Sequence, residues 1–172
     1  MFRKTSFILA VLVFSALALA AQTEQPKYGH MNLGNLLDQM PQTKVAEDSL
    51  KVFAAVLSGQ DSVMTQAFQK AYLQLQKEYN DGGLTAVQVQ QRQAELQKQQ
   101  QDIQAFEEKA QQNLEAKRAE LLNPILNKIK EAITAVAKEN GFLMVFDVST
   151  GSMLFASETI DVTALVKKKL GL

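Results

Sequence analysis

Cysteine and tryptophan are absent, and histidine occurs once. Without cysteine there is no disulfide, no thiolate metal ligand, no thiol nucleophile and no acceptor for N-terminal lipid. One histidine excludes a multi-histidine metal cage and leaves little for acid–base catalysis. Proline (3) and glycine (8) are scarce among 172 residues, and aromatic residues make up only 7 %. Neither charge sign is in excess: 18 basic residues face 18 acidic ones, which gives no electrostatic case for nucleic acid as a partner. Glycine-rich phosphate cradles are missing, and so is the Gly-x-Ser-x-Gly elbow. No cofactor, no metal and no enzymatic reaction is called for. What is abundant is glutamine, with eleven between Gln88 and Gln112. A chain so poor in helix breakers is expected to be built of long helices and to act through its shape.

Met1 to Ala21 reads as a secretory signal peptide. Arg3 and Lys4 form a positive start, and Phe7 to Leu19 is apolar apart from Ser15. Ala18-Leu19-Ala20 supplies the small residues that precede a cleavage site after Ala20 or Ala21. The apolar run is shorter than the roughly 20 residues a spanning helix needs, so no stable membrane insertion is expected after cleavage. Removal of two positive charges leaves the mature chain at a net charge of −2. The destination is outside the cytosol.

The remaining chain reads as strand, long helix, turn, long helix, hairpin and short helix. Lys27 to Asn32 is a candidate strand, and Leu33 to Met40 a brief helical stretch that Pro41 ends. From Thr43 to Tyr79 apolar residues recur at three- and four-residue steps. They include Val45, Val52, Phe53, Val56, Leu57, Met64, Phe68, Tyr72, Leu75 and Tyr79. They read as one narrow stripe on a helix about 55 Å long. Asn80 to Gly83 is a turn, and Thr85 with Gln88 fits a capping box. A second helix then runs from Thr85 to Glu139, roughly 80 Å if unbroken. Its seam is Val89, Leu96, Ile103 and Ala110, seven residues apart, with Phe106 and Leu114 between; this is the spacing of a left-handed coiled pair. Glutamine fills the positions between, so the pairing near the turn is thin.

Towards the far end of the second helix the apolar stripe broadens over Leu121, Leu122, Ile125, Leu126, Ile129, Ile133 and Val136, as in a helix buried on more than one side. Pro124 falls inside this stretch, where it removes a hydrogen bond and kinks the helix. Asn140-Gly141 ends the helix. Phe142 to Val148 and Ser152 to Ala156 read as the two strands of a hairpin turning at Ser149-Thr150-Gly151. Asp161 caps a last helix, Val162 to Leu170, whose Lys167, Lys168 and Lys169 suit the negative end of its dipole.

Two expectations follow about assembly. The fold is mainly α with a small β body: a long antiparallel coiled-coil hairpin protrudes from a β-sheet formed by the chain termini. Residues 22–42 and 140–172 form the body and 43–139 the arm, with its tip at 80–84. A sheet of three short strands with open edges is marginal alone, so the body is expected to oligomerise. Body candidates for this are Tyr28, Met31, Leu33, Leu143, Val145, Met153 and Phe155.

The residues also resemble a known family, the Skp/OmpH-like periplasmic chaperones of Gram-negative bacteria. The resemblance is carried at the start by Tyr28-Gly29-His30-Met31-Asn32-Leu33 and Leu36-Leu37-Asp38-Gln39-Met40-Pro41. At the end it is carried by Pro124-Ile125-Leu126-Asn127-Lys128-Ile129, by Val136-Ala137-Lys138-Glu139-Asn140-Gly141-Phe142 and by Asp161-Val162-Thr163. It covers nearly all of the mature chain in element order. It implies a homotrimer with coiled-coil arms around a cavity, which holds unfolded outer-membrane proteins in the periplasm without ATP. Well-known members are strongly basic, and this chain is not.

On that reading, apolar side chains on or beside the arm seam are client-binding candidates: Met64, Phe68, Tyr72, Leu73, Leu75, Tyr79, Leu96, Ile103 and Phe106. Met and aromatic groups adapt to varied partners. Leu73 stands beside the stripe and has no seam to serve. Pro124 is the hinge candidate. The alternative is a structural coiled-coil scaffold or spacer of the cell envelope. His30 reads as a structural histidine, and Glu107-Glu108 as a solvated helix face, since adjacent helical residues do not share a side.

Overall fold

A computed structural model describes residues 26–172; the expected signal peptide, Met1 to Ala21, lies outside the described residues. The elements are β1 (Lys27–Met31), α1 (Leu33–Asp38), α2 (Pro41–Asn80), α3 (Ala86–Asn140), β2 (Phe142–Asp147), a 3-10 turn (Glu158–Ile160) and α4 (Thr163–Leu170). The architecture is mostly helical with one small sheet.

Local chemistry sets the element ends. Asn32 caps α1 by accepting the Asn35 N–H at 2.8 Å. Pro41 ends the short stretch and opens α2, at the position where its missing N–H leaves nothing unpaired. The capping box of α3 forms: Gln88 N–H donates to Thr85 Oγ1 at 3.3 Å, and Thr85 N–H donates back to Gln88 Oε1 at 2.9 Å. Gly141 closes α3 at φ 71°, in the left-handed region that suits glycine. Asp161 Oδ1 accepts the Thr163 N–H at 2.7 Å and so starts α4.

The sheet joins the two ends of the chain. β1 pairs with β2 in parallel, with Tyr28 opposite Met144 and His30 opposite Phe146. Parallel strands need a crossover, and here the crossover is the whole of α1, α2 and α3. The other edge of β1 receives the chain again, where Val162 N–H donates to the His30 carbonyl at 2.9 Å. Gly29 lies where a Cβ would stand 2.8 Å from Val162 Cγ1, so only glycine lets the chain pass this close.

The core gathers under this sheet. Met31, Leu36, Met40, Ala46, Ile125, Ile129, Ala132, Val136, Val162 and Val166 form one buried cluster, with Leu33, Leu37, Ile133, Phe142 and Val145 packed on it. Each large side chain buried there contributes about 1.5–3 kcal/mol. Glu139 of α3 and Lys169 of α4 add a surface ion pair. The broad apolar stripe of α3 is thus explained, since Ile125, Ile129 and Val136 face β1, α1 and α4 residues together.

Two expectations need correction. Ser152 to Ala156 is not a strand, so that hairpin does not form, and among the described residues the sheet has two strands. After the turn at Ser149 the chain does not fold back along β2. It crosses to the far side of β1, where Ser157 O meets His30 Nε2 at 2.9 Å. Leu154 and Phe155 are left exposed. α3 runs through Pro124 as one helix, over the span expected for it. Pro124 is exposed, so the missing N–H costs the Glu120 carbonyl its helical partner without opening the helix.

Second, the apolar positions of α2 are not one stripe. Among its half-buried or buried side chains, Leu50, Ala54, Leu57, Asp61, Met64, Phe68, Ala71, Leu75 and Glu78 alternate steps of four and three, with Ser49, Phe53 and Thr65 half-buried beside them. Val45, Val52, Val56 and Val63 stand outside this seam and are 53–70 % exposed.

Candidate functional site

The long pair of helices is the region beyond the core. Arg92 of α3 reaches Glu78 of α2 at 3.6 Å next to the turn. Farther along, Phe106 shares a groove with Val56, Val63 and Met64. The facing seam of α3 has two rows. One is the expected Val89, Leu96, Ile103 and Ala110; the other is Arg92, Gln99, Phe106 and Asn113, all half-buried. The second row is mostly polar and contributes little apolar burial. Only Leu75 is buried in the outer half of α2. Asp61 Oδ1 and Gln99 Oε1 are enclosed without a hydrogen-bond partner, which weakens the seam further. Side by side, the helices hold each other through a thin apolar row.

Beside the seam, close to the turn, is a groove of about 720 Å³. α2 lines it with Phe68, Tyr72, Leu75, Gln76, Tyr79 and Asn80, and α3 with Val89, Gln93, Leu96, Gln97 and Gln100. None of these side chains is charged. Phe68 and Tyr72 stack at 6.5 Å between ring centroids, and Gln76 Nε2 donates to the Tyr72 hydroxyl at 3.3 Å. The structure brings five of the nine client-binding candidates to this groove: Phe68, Tyr72, Leu75, Tyr79 and Leu96. Met64 and Phe106 line a second groove of about 510 Å³ with Val56, Gly59, Gln60 and Val63. Ile103 sits half-buried in the seam, and Leu73 is 61 % exposed, lining neither groove.

The body candidates separate into two groups. Met31 is 1 % exposed, and Leu33 and Val145 pack on the same core, so these serve the chain's own interior. Tyr28, Leu143 and Phe155 are exposed, joined by Met144, Phe146 and Leu154, and Met153 is half-buried. Tyr28 and Phe146 lie 6.4 Å apart on one sheet face. Reading the segment 152–156 as a paired strand hid the exposure of Leu154 and Phe155.

Two carboxylates tie this end together. Burial raises the pKa of Asp147, but hydrogen bonds from the Ser149 N–H, the Leu33 N–H and the Ser149 hydroxyl outweigh it and hold the group below its ordinary value. Burial likewise raises Asp161, and the Thr163 hydrogen bonds with the charges of His30 and Lys167 bring it below. His30 is 8 % exposed, with Nδ1 enclosed and unpartnered. Among the described residues no cluster of three metal-ligating side chains occurs, and no helix is long and apolar enough to cross a membrane.

Missing from the sequence reading were the glutamine wall (Gln93, Gln97, Gln100 with Gln76) and the valine row. Glutamine carries no hydropathy signal at a seam edge. The valine row was visible as a seven–four–seven spacing set apart from Leu50, Leu57 and Met64 around the helix.

A small core end of strands and short helices carrying one long pair of helices defines the class of fold. Residues 27–170 match the family model described as Outer membrane protein (OmpH-like), and the chain belongs to that family. Its structure is similar to the crystal structure of an OmpH-like protein from Caulobacter crescentus CB15, with a TM-score of 0.68 at 16 % identity, covering 86 % of this chain and 85 % of that one. That protein is described as a proposed outer membrane chaperone. No curated protein matches the sequence.

Proposed function

We propose that this protein is an ATP-independent holdase of the periplasm that keeps unfolded outer-membrane proteins soluble until they insert. The observation that carries the reading is the long α2–α3 pair: its seam is thin and half polar, and it displays aromatic side chains and grooves far from any core. Family membership and the fold of the Caulobacter protein support it. Unfolded barrel proteins expose apolar segments and unpaired strand edges and aggregate. Many weak contacts on several arms retain such a client through effective concentration, without one tight site, and a better partner takes it away.

On this reading residues 43–139 are an antiparallel coiled-coil arm, and 22–42 with 140–172 are the body, left after signal cleavage. The body self-associates as a homotrimer. Two facts support association: among the described residues β2 pairs only with β1, leaving an edge open, and Tyr28, Leu143, Phe146, Leu154 and Phe155 expose apolar surface around it. Pro124 is the hinge of the arm. A stiff envelope spacer is less well served by enclosed Asp61 and Gln99 in its seam.

The test is dilution of a denatured outer-membrane barrel protein with and without the mature chain, no nucleotide added, recording scattering and complex mass together. A soluble complex with several copies of this chain per client is expected. Full client aggregation beside an intact oligomer would move the reading to a scaffold.

A further inference from the structure

We propose that the groove near the turn is a receptor for one extended, uncharged segment of unfolded chain, gripped by its backbone. The inference rests on the chaperone reading and adds to it what is held and how. The groove has apolar floor residues such as Leu75 and Leu96, aromatic Tyr72 and Tyr79, and carboxamide walls on both helices. A primary amide both donates and accepts, so it can pair with a peptide N–H or C=O whatever the side chain attached.

The spacing fits. Gln93 and Gln97 on one wall, and Gln76 and Asn80 on the other, are each four residues apart. On a helix that is about 6 Å of rise. Along an extended strand, backbone groups facing one side recur every second residue, about 6.6–6.8 Å. Phe68 to Asn80 spans about 18 Å, room for about five extended residues. A helix of a second copy offers these walls no backbone groups, because its own already pair internally. A charged segment gains nothing from a lining that holds no opposite charge. Binding here is therefore insensitive to salt.

The experiment uses the full mature chain and two end-blocked, fluorescently labelled octapeptides alternating Tyr or Val with Ser or Thr. One is unmodified; the other carries N-methyl groups on alternate backbone amides. Anisotropy is read from about 0.05 to about 0.5 M salt. The unmodified peptide is expected to bind with less than about twofold change across that range, and the methylated one about tenfold more weakly. The double substitution Gln93→Ala with Gln97→Ala is expected to erase the preference for the unmodified peptide. Alanine is a stronger helix former than glutamine, so helix content and sedimenting mass stay unchanged. Equal binding of both peptides, a steep salt dependence, or a changed mass in the double variant would overturn the proposal, the last by placing a second copy in the groove. If wild type still keeps a full-length barrel protein soluble, the chaperone reading survives that failure; if it does not, that reading fails by itself.

Discussion

The core end and the turn end of this molecule bury side chains by different rules. At the core end six elements converge, and Leu36, Val166, Met31, Ile129 and Val162 are at or below 1 % exposure. At the turn end two helices meet alone, and apart from Leu75 the seam is half-buried. The same α3 runs through both. It is buried where other elements surround it and thinly paired where only α2 is beside it. Burial on one side holds a helix in place; burial on several sides makes a folded unit. The contrast places a closed core at one end and thinly covered surface at the other, the division that the proposed holdase would use.

The largest test of this contrast is a matched pair of truncations. Leu36→Ala should destabilise by about 2–5 kcal/mol, because the surrounding core cannot collapse into the space. Leu75→Ala should do less, since the open groove beside it relaxes. Thermal unfolding followed by circular dichroism checks the order; equal losses would break the comparison. Next, Gly29→Ala should cost about 1–3 kcal/mol by pushing Val162 off β1, read as a lower melting temperature.

Acid should separate the two ends without mutation. Asp147 and Asp161 have folded values held below their ordinary ones. Their contribution is present above the unfolded carboxylate value, about 3.9, and is lost as pH falls through the lower folded value. Below about pH 4, amide exchange in β1, α1 and α4 should therefore quicken while α2 and α3 keep their helical signal. The gentlest probe is Thr85→Ala, worth about 1 kcal/mol through the lost cap. Faster exchange at Gln88 and Val89, with no change around Leu36, is the expected pattern.

Much of this division could be read from residue order. The turn at Asn80 to Gly83, the Thr85–Gln88 box, Gly141 and the broad stripe around Ile129 each act through near neighbours, so sequence carries them directly. The seven-residue row Val89, Leu96, Ile103 and Ala110 was equally plain. Arg92, Gln99 and Asn113 share that seam for reasons of geometry alone, and hydropathy cannot see them. Val45, Val52 and Val56 fit a loose three–four rhythm yet stand outside the half-buried row of α2. Ser152 to Ala156 has β-forming residues, yet the chain leaves β2 and crosses to β1, where Asp161 and Val162 join its free edge, which no local pattern announces. The grooves depend on how two helices lie together. Their residues were named as apolar seam members, and their amide walls were not.

Finally, the parallel pairing of β1 with β2 has a kinetic meaning. Lys27 and Phe142 are partners about 115 residues apart in the chain, and closing so long a loop from a random coil is slow. Helix formation within α2 and α3 is local and fast, and once they lie together through the five-residue connection the two strands arrive side by side. The long helices are then the ruler that brings the ends together, and the sheet is the last piece to close. A loosened connection at Asp81 to Thr85, at the opposite tip from the sheet, should delay sheet formation more than it weakens the finished fold.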